Sequence, residues 1–289
     1  MNGLVLLNKK QGETSFYAAA GLRKIYNTKR IGHTGTLDPM AEGVLPVLIG
    51  RATRLSSFLL DADKRYTAKI KFGIKTDTLD ITGKILKTVD CDVSIEDLKT
   101  ALSKFTGDIM QIPPMYSAIK QNGVRLYELA RKGETAERKP RAVTVKSAAV
   151  LEKTDKNEYL VDFICSKGTY IRSLADDIGE FLGVSATLTG LTRTATAGFA
   201  IEQCSTKEQI AENPEKALLS AHLAVPQFSD VFVSEGQKTR FLHGGELSLE
   251  RLNVEPSNYP FYKVFYQDEF LGLGEISENS LKVKCVITE

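Results

Sequence analysis

Cysteine, histidine and surplus charge are all scarce in this sequence. Of 289 residues only four are cysteine and three are histidine. Cys91, Cys165, Cys204 and Cys285 lie far apart with no CxxC pair, which excludes a zinc ribbon and a thioredoxin-type dithiol. His33, His222 and His243 have no ligand-like spacing, so no metal site is expected. No apolar run is long enough to span a bilayer, and no charged-then-apolar leader opens the chain. A protein of the reducing cytoplasm, away from membranes, is therefore expected. Internal repeats and low-complexity segments are absent. The net charge is only +2, from 38 Lys/Arg against 36 Asp/Glu. A uniformly basic nucleic-acid binder is not indicated, and the distribution of charge matters more than its sum.

Hydrophobic residues make up 42% of the chain, enough to bury a sizeable core in one large domain, or in a large one with a small partner. Residues 1–60 carry eight Lys/Arg against three Asp/Glu, and residues 120–146 again eight against three, whereas residues 229–289 carry six against ten. The positive charge sits in the first half and the tail is acidic.

Local patterns outline the elements. Residues 4–7 form a short apolar run that reads as a strand. Thr14 and Ser15 are N-cap types for a helix reaching about Tyr26. Along residues 65–73, Tyr66, Ala68, Ile70 and Phe72 alternate with Thr67, Lys69 and Lys71, the period-two signature of a half-buried strand. Residues 94–105 read as a helix that opens at Ser94 and ends before Gly107. Residues 111–141 are rich in Pro, Gly and charge and read as a long functional loop with a helical turn inside. Residues 143–150 and 159–165 read as paired strands around a polar turn at 154–157, and residues 171–182 as a helix stopped by Gly183. After about Ala224 short β-like runs (231–233, 262–266, 282–287) alternate with turns. Strands and helices mix without strict βαβ alternation, so the fold class is α+β on a mixed, largely antiparallel sheet. The division expected is 1–224 and a small β-rich domain at 225–289.

One stretch carries chemistry. Gly32-His33-Thr34-Gly35-Thr36-Leu37-Asp38-Pro39 continues through Ala41, Gly43-Val44-Leu45 and Gly50-Arg51-Ala52-Thr53. It sets one carboxylate, Asp38, before a proline that keeps it out of the α region, among glycines that permit tight turns and close approach. An aspartate next to proline is, by itself, usually a turn former. The whole run, residues 32–54, resembles the signature of the TruB family of pseudouridine synthases, which modify uridine in tRNA. Five further segments match that family. Leu7-Asn8-Lys9-Lys10-Gln11-Gly12-Glu13-Thr14-Ser15 resembles its first motif, with Lys10 where the family usually has proline. Lys64-Arg65-Tyr66-Thr67-Ala68-Lys69-Ile70-Lys71-Phe72-Gly73 resembles the second. Cys165 through Gly179, containing Tyr170 and Arg172, resembles a third, and Leu191-Thr192-Arg193-Thr194 follows it. Pro113-Pro114-Met115-Tyr116-Ser117-Ala118, with Lys120, Gly123, Arg125, Tyr127, Arg131 and Gly133, matches another segment.

The resemblance implies a pseudouridine-synthase catalytic domain with a small PUA-like domain behind it. It implies that a uridine in the T-loop of tRNA, uridine 55, is flipped out and isomerised with no cofactor. Asp38 would be the catalytic aspartate, attacking C6 of uracil or C1′ of the ribose, or assisting elimination to a glycal. Tyr66 would stack on the flipped uracil and Tyr170 line its pocket. Arg172 would pair with Asp38, a partner that favours the charged carboxylate. Leu191 would pack on the base, and His33 would pack against and position the RNA. Lys9 would support the pocket loop. Lys120, Arg125, Arg131 and Lys132 would meet the phosphates of the T-stem-loop from a loop that orders on binding. No membrane and no obligate protein partner is implied. Read from the residues alone, Tyr66 and Leu191 also suit plain core packing, and the charged segment a solvated face. The acidic tail leaves an RNA-binding and a purely structural role open. Two other readings stand beside this one: a tRNA-binding or folding chaperone without essential catalysis, and a synthase acting on another RNA.

Overall fold

The computed structural model describes residues 1–59, 62–121, 123–254 and 257–288. In chain order its strands are β1 (Gly3–Lys9), β2 (Ile31–His33), β3 (Glu42–Ile49), β4 (Lys64–Phe72), β5 (Ile74–Thr76), β6 (Ile85–Thr88), β7 (Gly107–Gln111), β8 (Lys120–Gln121), β9 (Val124–Arg125), β10 (Arg141–Asp155), β11 (Glu158–Cys165), β12 (Ala186–Thr196), β13 (Phe199–Ala200), β14 (Ser229–Phe232), β15 (Leu247–Ser248), β16 (Phe261–Tyr266), β17 (Glu269–Ser277) and β18 (Ser280–Val286). Its helices include α1 (Ser15–Ala20), α2 (Leu22–Ile25), α3 (Ser56–Leu59), α4 (Ile95–Lys104), α5 (Leu126–Arg131) and α6 (Ile171–Phe181).

Among the described residues nine strands build one mixed sheet, in the order β1-β3-β12-β4-β11-β10-β7, with β2 added to β3 and β13 to β12. Every pairing in it is antiparallel except β12 with β3. The alternation read in β4 is the reason it sits centrally. Tyr66, Ala68, Ile70 and Phe72 turn inward while the residues between them stay half-buried or exposed, because successive strand side chains point to opposite faces. Ser94 caps α4 in a reciprocal bond with Asp97, which satisfies donors that the helix itself leaves unpaired. Ile171, Leu174, Ala175 and Ile178 form the buried face of α6, and Gly183, at φ 72°, ends it.

Three expectations change in detail. The single helix expected from Ser15 to Tyr26 is two, α1 and α2, interrupted at Gly21. Gly21 keeps helical angles, but the Lys207 side chain occupies the place where a Cβ would stand, and glycine holds a helix weakly. The strand expected at 143–150 runs from Arg141 to Asp155. Its turn tightens onto Lys156-Asn157, with Asn157 in the left-handed region at φ 54°. The loop of 111–141 carries a small ladder, β8 with β9, as well as the helical turn, α5.

The parallel contact of β12 with β3 needs a glycine. Gly43 lies at φ 105°, and a Cβ there would fall 2.3 Å from the Arg193 carbonyl oxygen. The absence of a side chain lets the Arg193 backbone pass beside the start of β3.

A second sheet, in the order β14-β16-β17-β18-β15, comes after it in the chain. It has its own apolar cluster, around Phe241, Val264, Leu271 and Leu281. Its other face joins the first sheet in one continuous core, where Phe228, Phe265, Phe270, Leu273 and Ile287 pack with Leu4, Leu6, Val44, Leu48 and Leu55.

Candidate active site

Asp38 stands in the connection between β2 and β3. The Ala41 N–H donates to the Asp38 carbonyl at 3.0 Å, closing a turn with Pro39 in its second position, where a fixed φ suits it. Three groups from outside hold this connection. The Gly12 N–H donates to the Pro39 carbonyl at 2.7 Å. The Ser15 hydroxyl donates to the Leu37 carbonyl at 2.9 Å and accepts from the Leu37 N–H at 2.8 Å. Arg193 donates through Nη2 to the Gly35 carbonyl at 3.1 Å. A carboxylate on a surface turn is thereby fixed from three sides while its own side chain remains 34% exposed.

Its partner is Arg172, in the first turn of α6 and only 4% exposed. Arg172 Nε lies 2.8 Å from Asp38 Oδ2 as an ion pair, without the alignment of a hydrogen bond. The rest of the guanidinium is committed: Nη1 donates to the Thr78 carbonyl at 2.9 Å and Nη2 to the Tyr116 carbonyl at 2.8 Å. Asp80, itself buried, places Oδ2 3.8 Å from Nη1, while its Oδ1 accepts from the Thr78 and Thr82 hydroxyls. One planar cation thus joins the Asp38 turn, the connection between β5 and β6, and the segment after β7. The fork shape of arginine permits this where a lysine point charge would not.

Around this pair the remaining groups fall into place by strand register. Tyr66 is buried on β4 opposite Arg193 of β12. Burial pushes its phenol up from the ordinary value, and the neighbouring Arg193 offsets part of that. Leu191 lies two residues from Arg193 on the same strand, in the core cluster that also holds Tyr66, Leu37 and Met40. Tyr170 immediately precedes α6. Its backbone is clamped by Gln111 at the end of β7: the Gln111 amide donates to the Tyr170 carbonyl at 3.0 Å and accepts from the Tyr170 N–H at 2.8 Å. Burial raises the Tyr170 phenol too. Lys9 is almost fully buried at the end of β1, donating to the Lys10 and Glu13 carbonyls at 3.0 and 2.7 Å. Burial brings its ammonium down to about 8, against the pull of Glu13 and Asp38. His33, on β2, is held below its ordinary value by burial and by Arg193, which leaves a neutral imidazole able to stack.

Lys120, Arg125, Arg131 and Lys132 lie apart from this cluster, all exposed on the 111–141 segment. Arg125 and Arg131 bracket the Tyr127 ring at 5.8 and 5.5 Å from its centre. Among the described residues none of the four forms an ion pair with a carboxylate. Their charge is free to meet an anion.

Three participants escaped the reading of the sequence. Gln111 and Asp80 look like loop residues there, and only the tertiary fold brings them beneath Tyr170 and Arg172. Arg193 had a signal: two positions from Leu191 on a strand, it shares that residue's inward face. It is fully buried, donates through Nε to the Val44 carbonyl at 2.8 Å and retains an unpartnered Nη1.

A family model described as TruB family pseudouridylate synthase (N terminal domain) matches residues 23–171. The tRNA pseudouridine synthase B of Clostridium perfringens (strain 13 / Type A) is 39% identical over 294 positions, covering 100% of both chains. That of Microcystis aeruginosa (strain NIES-843 / IAM M-2473) is 42% identical over 296 positions, again covering 100% of both. Among solved structures, a chain of a Cbf5-Nop10-Gar1 complex superposes with a TM-score of 0.75 at 27% identity, covering 99% of this chain and 85% of that one.

Proposed function

The chain belongs to the TruB family of pseudouridylate synthases, isomerising uridine in tRNA to pseudouridine, and we propose that its target is the T-loop uridine, position 55, with Asp38 carrying the reaction. The isomerisation breaks an N-glycosidic bond, turns the base and joins it through C5, so atoms and electrons balance without a co-reactant. The uridine must first leave its stack. In this reading Tyr66, Tyr170 and Leu191 wall the base, His33 stacks against the RNA, and Lys9 supports the turn from below. The basic 111–141 segment grips the phosphates of the T-stem-loop and orders as it does so. The observation that carries the assignment is the Asp38 carboxylate, one-third exposed on a pinned turn and 2.8 Å from a buried guanidinium. Such a group is reachable by substrate and faces a fixed opposite charge, an arrangement that a nucleophile or base at C6, C1′ or the glycal step can use. In this reading the enzyme acts in the cytoplasm with no obligate protein partner, and the relatives at 39–42% identity, named tRNA pseudouridine synthase B, support tRNA as its substrate.

The test is tritium release from tRNA transcripts carrying [5-³H]uridine, with wild type and Asp38→Asn side by side. Release at a T-loop position by wild type alone supports the assignment. Near-wild-type release by Asp38→Asn refutes the role of Asp38. Binding without release by either protein turns the reading to an RNA chaperone, and a guide RNA co-purifying with the active protein turns it to another RNA target.

A further inference from the structure

Phe16 and Tyr17 begin α1 and stand in solvent, 59% and 70% exposed. The helix has a buried side of its own, Ser15, Ala18 and Ala19, so these two rings contribute nothing to the core. They meet edge to face, 5.7 Å apart at 74°, and the Arg23 guanidinium lies over the Phe16 ring at 5.7 Å. Single exposed apolar residues need no explanation, but an adjacent pair of bare rings beside a cation is a surface prepared for something. Its place says for what. Ser15, the residue before Phe16, is locked by two hydrogen bonds to Leu37, the residue before Asp38. With about 3.8 Å between successive Cα atoms, Phe16 and Tyr17 follow within two residues a position bonded to the segment that carries Asp38. Exposed cations follow in the chain: Arg23, against Phe16, and then Lys24, Lys29 and Arg30.

Resting on the assignment of an RNA substrate, we propose that Phe16 and Tyr17 form a stacking platform for an unpaired base of the substrate RNA beside the flipped uridine. It is a contact separate from the 111–141 segment. Aromatic faces backed by arginine suit a nucleobase, because every base has a π-face and stacking needs no particular sequence. Phosphates of the same strand meet the surrounding lysines and arginines. The platform therefore contributes affinity and register, while Asp38 and its partners perform the chemistry.

The experiment uses the full chain. Both rings are exposed, so Phe16→Ala/Tyr17→Ala is expected to keep the wild-type thermal midpoint. Its affinity for a T-stem-loop RNA, measured by filter binding at fixed salt, should fall by about 10-fold or more, since stacking is worth roughly 1–3 kcal/mol per base. Release of tritium at saturating RNA should stay within about threefold, and the salt dependence should be unaltered because no phosphate contact is removed. Tyr17→Phe should bind as wild type. The chain has no tryptophan, so Tyr17→Trp supplies a single reporter whose fluorescence should be quenched by the RNA. Unchanged affinity in the double variant, or unquenched fluorescence at saturating RNA, overturns the platform. Loss of self-association with RNA affinity intact would also overturn it, marking the patch as a contact between copies. If wild type releases no tritium yet the double variant loses affinity, the platform stands and the catalytic reading falls.

Discussion

Replacing Arg172 by lysine keeps the charge and removes the fork, and the structure says what that costs. The guanidinium reaches Asp38 at 2.8 Å, the Thr78 and Tyr116 carbonyls at 2.9 and 2.8 Å, and Asp80 at 3.8 Å. An ammonium on an unbranched stem can meet one or two of these directions at a time. At an effective dielectric of about 20, opposite charges at this separation attract by roughly 6 kcal/mol, but desolvation of both groups cancels much of that. The loss is better counted from the contacts. A buried hydrogen bond to a charged group is worth about 1.5–3 kcal/mol, and at least one is forfeited, so Arg172→Lys should lose roughly 2–4 kcal/mol of stability and remain folded. The larger effect is on rate. With its partner no longer fixed by two carbonyls, the Asp38 carboxylate wanders, and a displacement of about 1 Å costs about 100-fold. Single-turnover tritium release with enzyme in excess isolates this step, and filter binding should show tRNA affinity within about threefold of wild type. If Arg172→Lys loses stability but turns over within about threefold of wild type, the pair is structural and the reasoning fails.

Charge sets two further outcomes. Burial holds the Lys9 ammonium at about 8, below its ordinary 10.5, so between those values the unfolded chain binds more protons than the folded one and stability rises with pH. The slope is at most about 1.4 kcal/mol per pH unit. Urea unfolding at pH 8 and pH 10 should show that rise in wild type and its loss in Lys9→Met, and equal rises in both would contradict it. Removing Arg125, Arg131 and Lys132 together should weaken tRNA binding and flatten its dependence on salt by about 2 to 3 in the log–log slope, if each meets a phosphate; a slope that does not move counts against the 111–141 segment as the phosphate contact.

How far a sequence declares its site depends on where the information lies. Asp38 and its glycines lie close together, from Gly32 to Gly43, and the turn they form is local, so the candidate site is legible at the motif. The alternation in β4 and the caps of α4 and α6 are likewise written in neighbouring residues. What is not legible arises from residues far apart. Asp80 and Gln111 matter because α6 lies across both their segments. Gly21, where α1 gives way to α2, lies against the Lys207 side chain nearly two hundred positions away. Arg193 is the instructive intermediate: its strand position marks it as inward, but only the parallel pass of β12 beside Gly43 shows that its guanidinium holds the turn that carries Asp38.

The relation between the two sheets carries the last prediction. The change of texture after Ala224 suggests a small β-rich second domain, and we propose that residues 1–224 and 225–289 are stable only as one body. Phe228, Phe265, Phe270, Leu273 and Ile287 come from beyond that boundary, yet each is at least nine-tenths buried in a core shared with Leu4, Leu6, Val44 and Leu48. The end of the chain is also tied back to its beginning: Arg51 Nη1 donates to the Thr288 carbonyl at 2.6 Å, and the Asn2 amide to the Ile287 carbonyl at 2.8 Å. A fully buried side chain of these types contributes about 1.5–3 kcal/mol, so five of them represent on the order of 7–15 kcal/mol, as much as the whole net stability of an ordinary domain. A chain ending at residue 224 would also expose to water the apolar surface of β1 and β3 that they cover, and β3 comes directly after the Asp38 turn. Such a truncation should aggregate or show no cooperative thermal transition, and should release no tritium from tRNA. A soluble 1–224 fragment that unfolds cooperatively at the wild-type midpoint would show that the shared cluster adds little, and that the acidic sheet is an appendage rather than a wall of the catalytic fold.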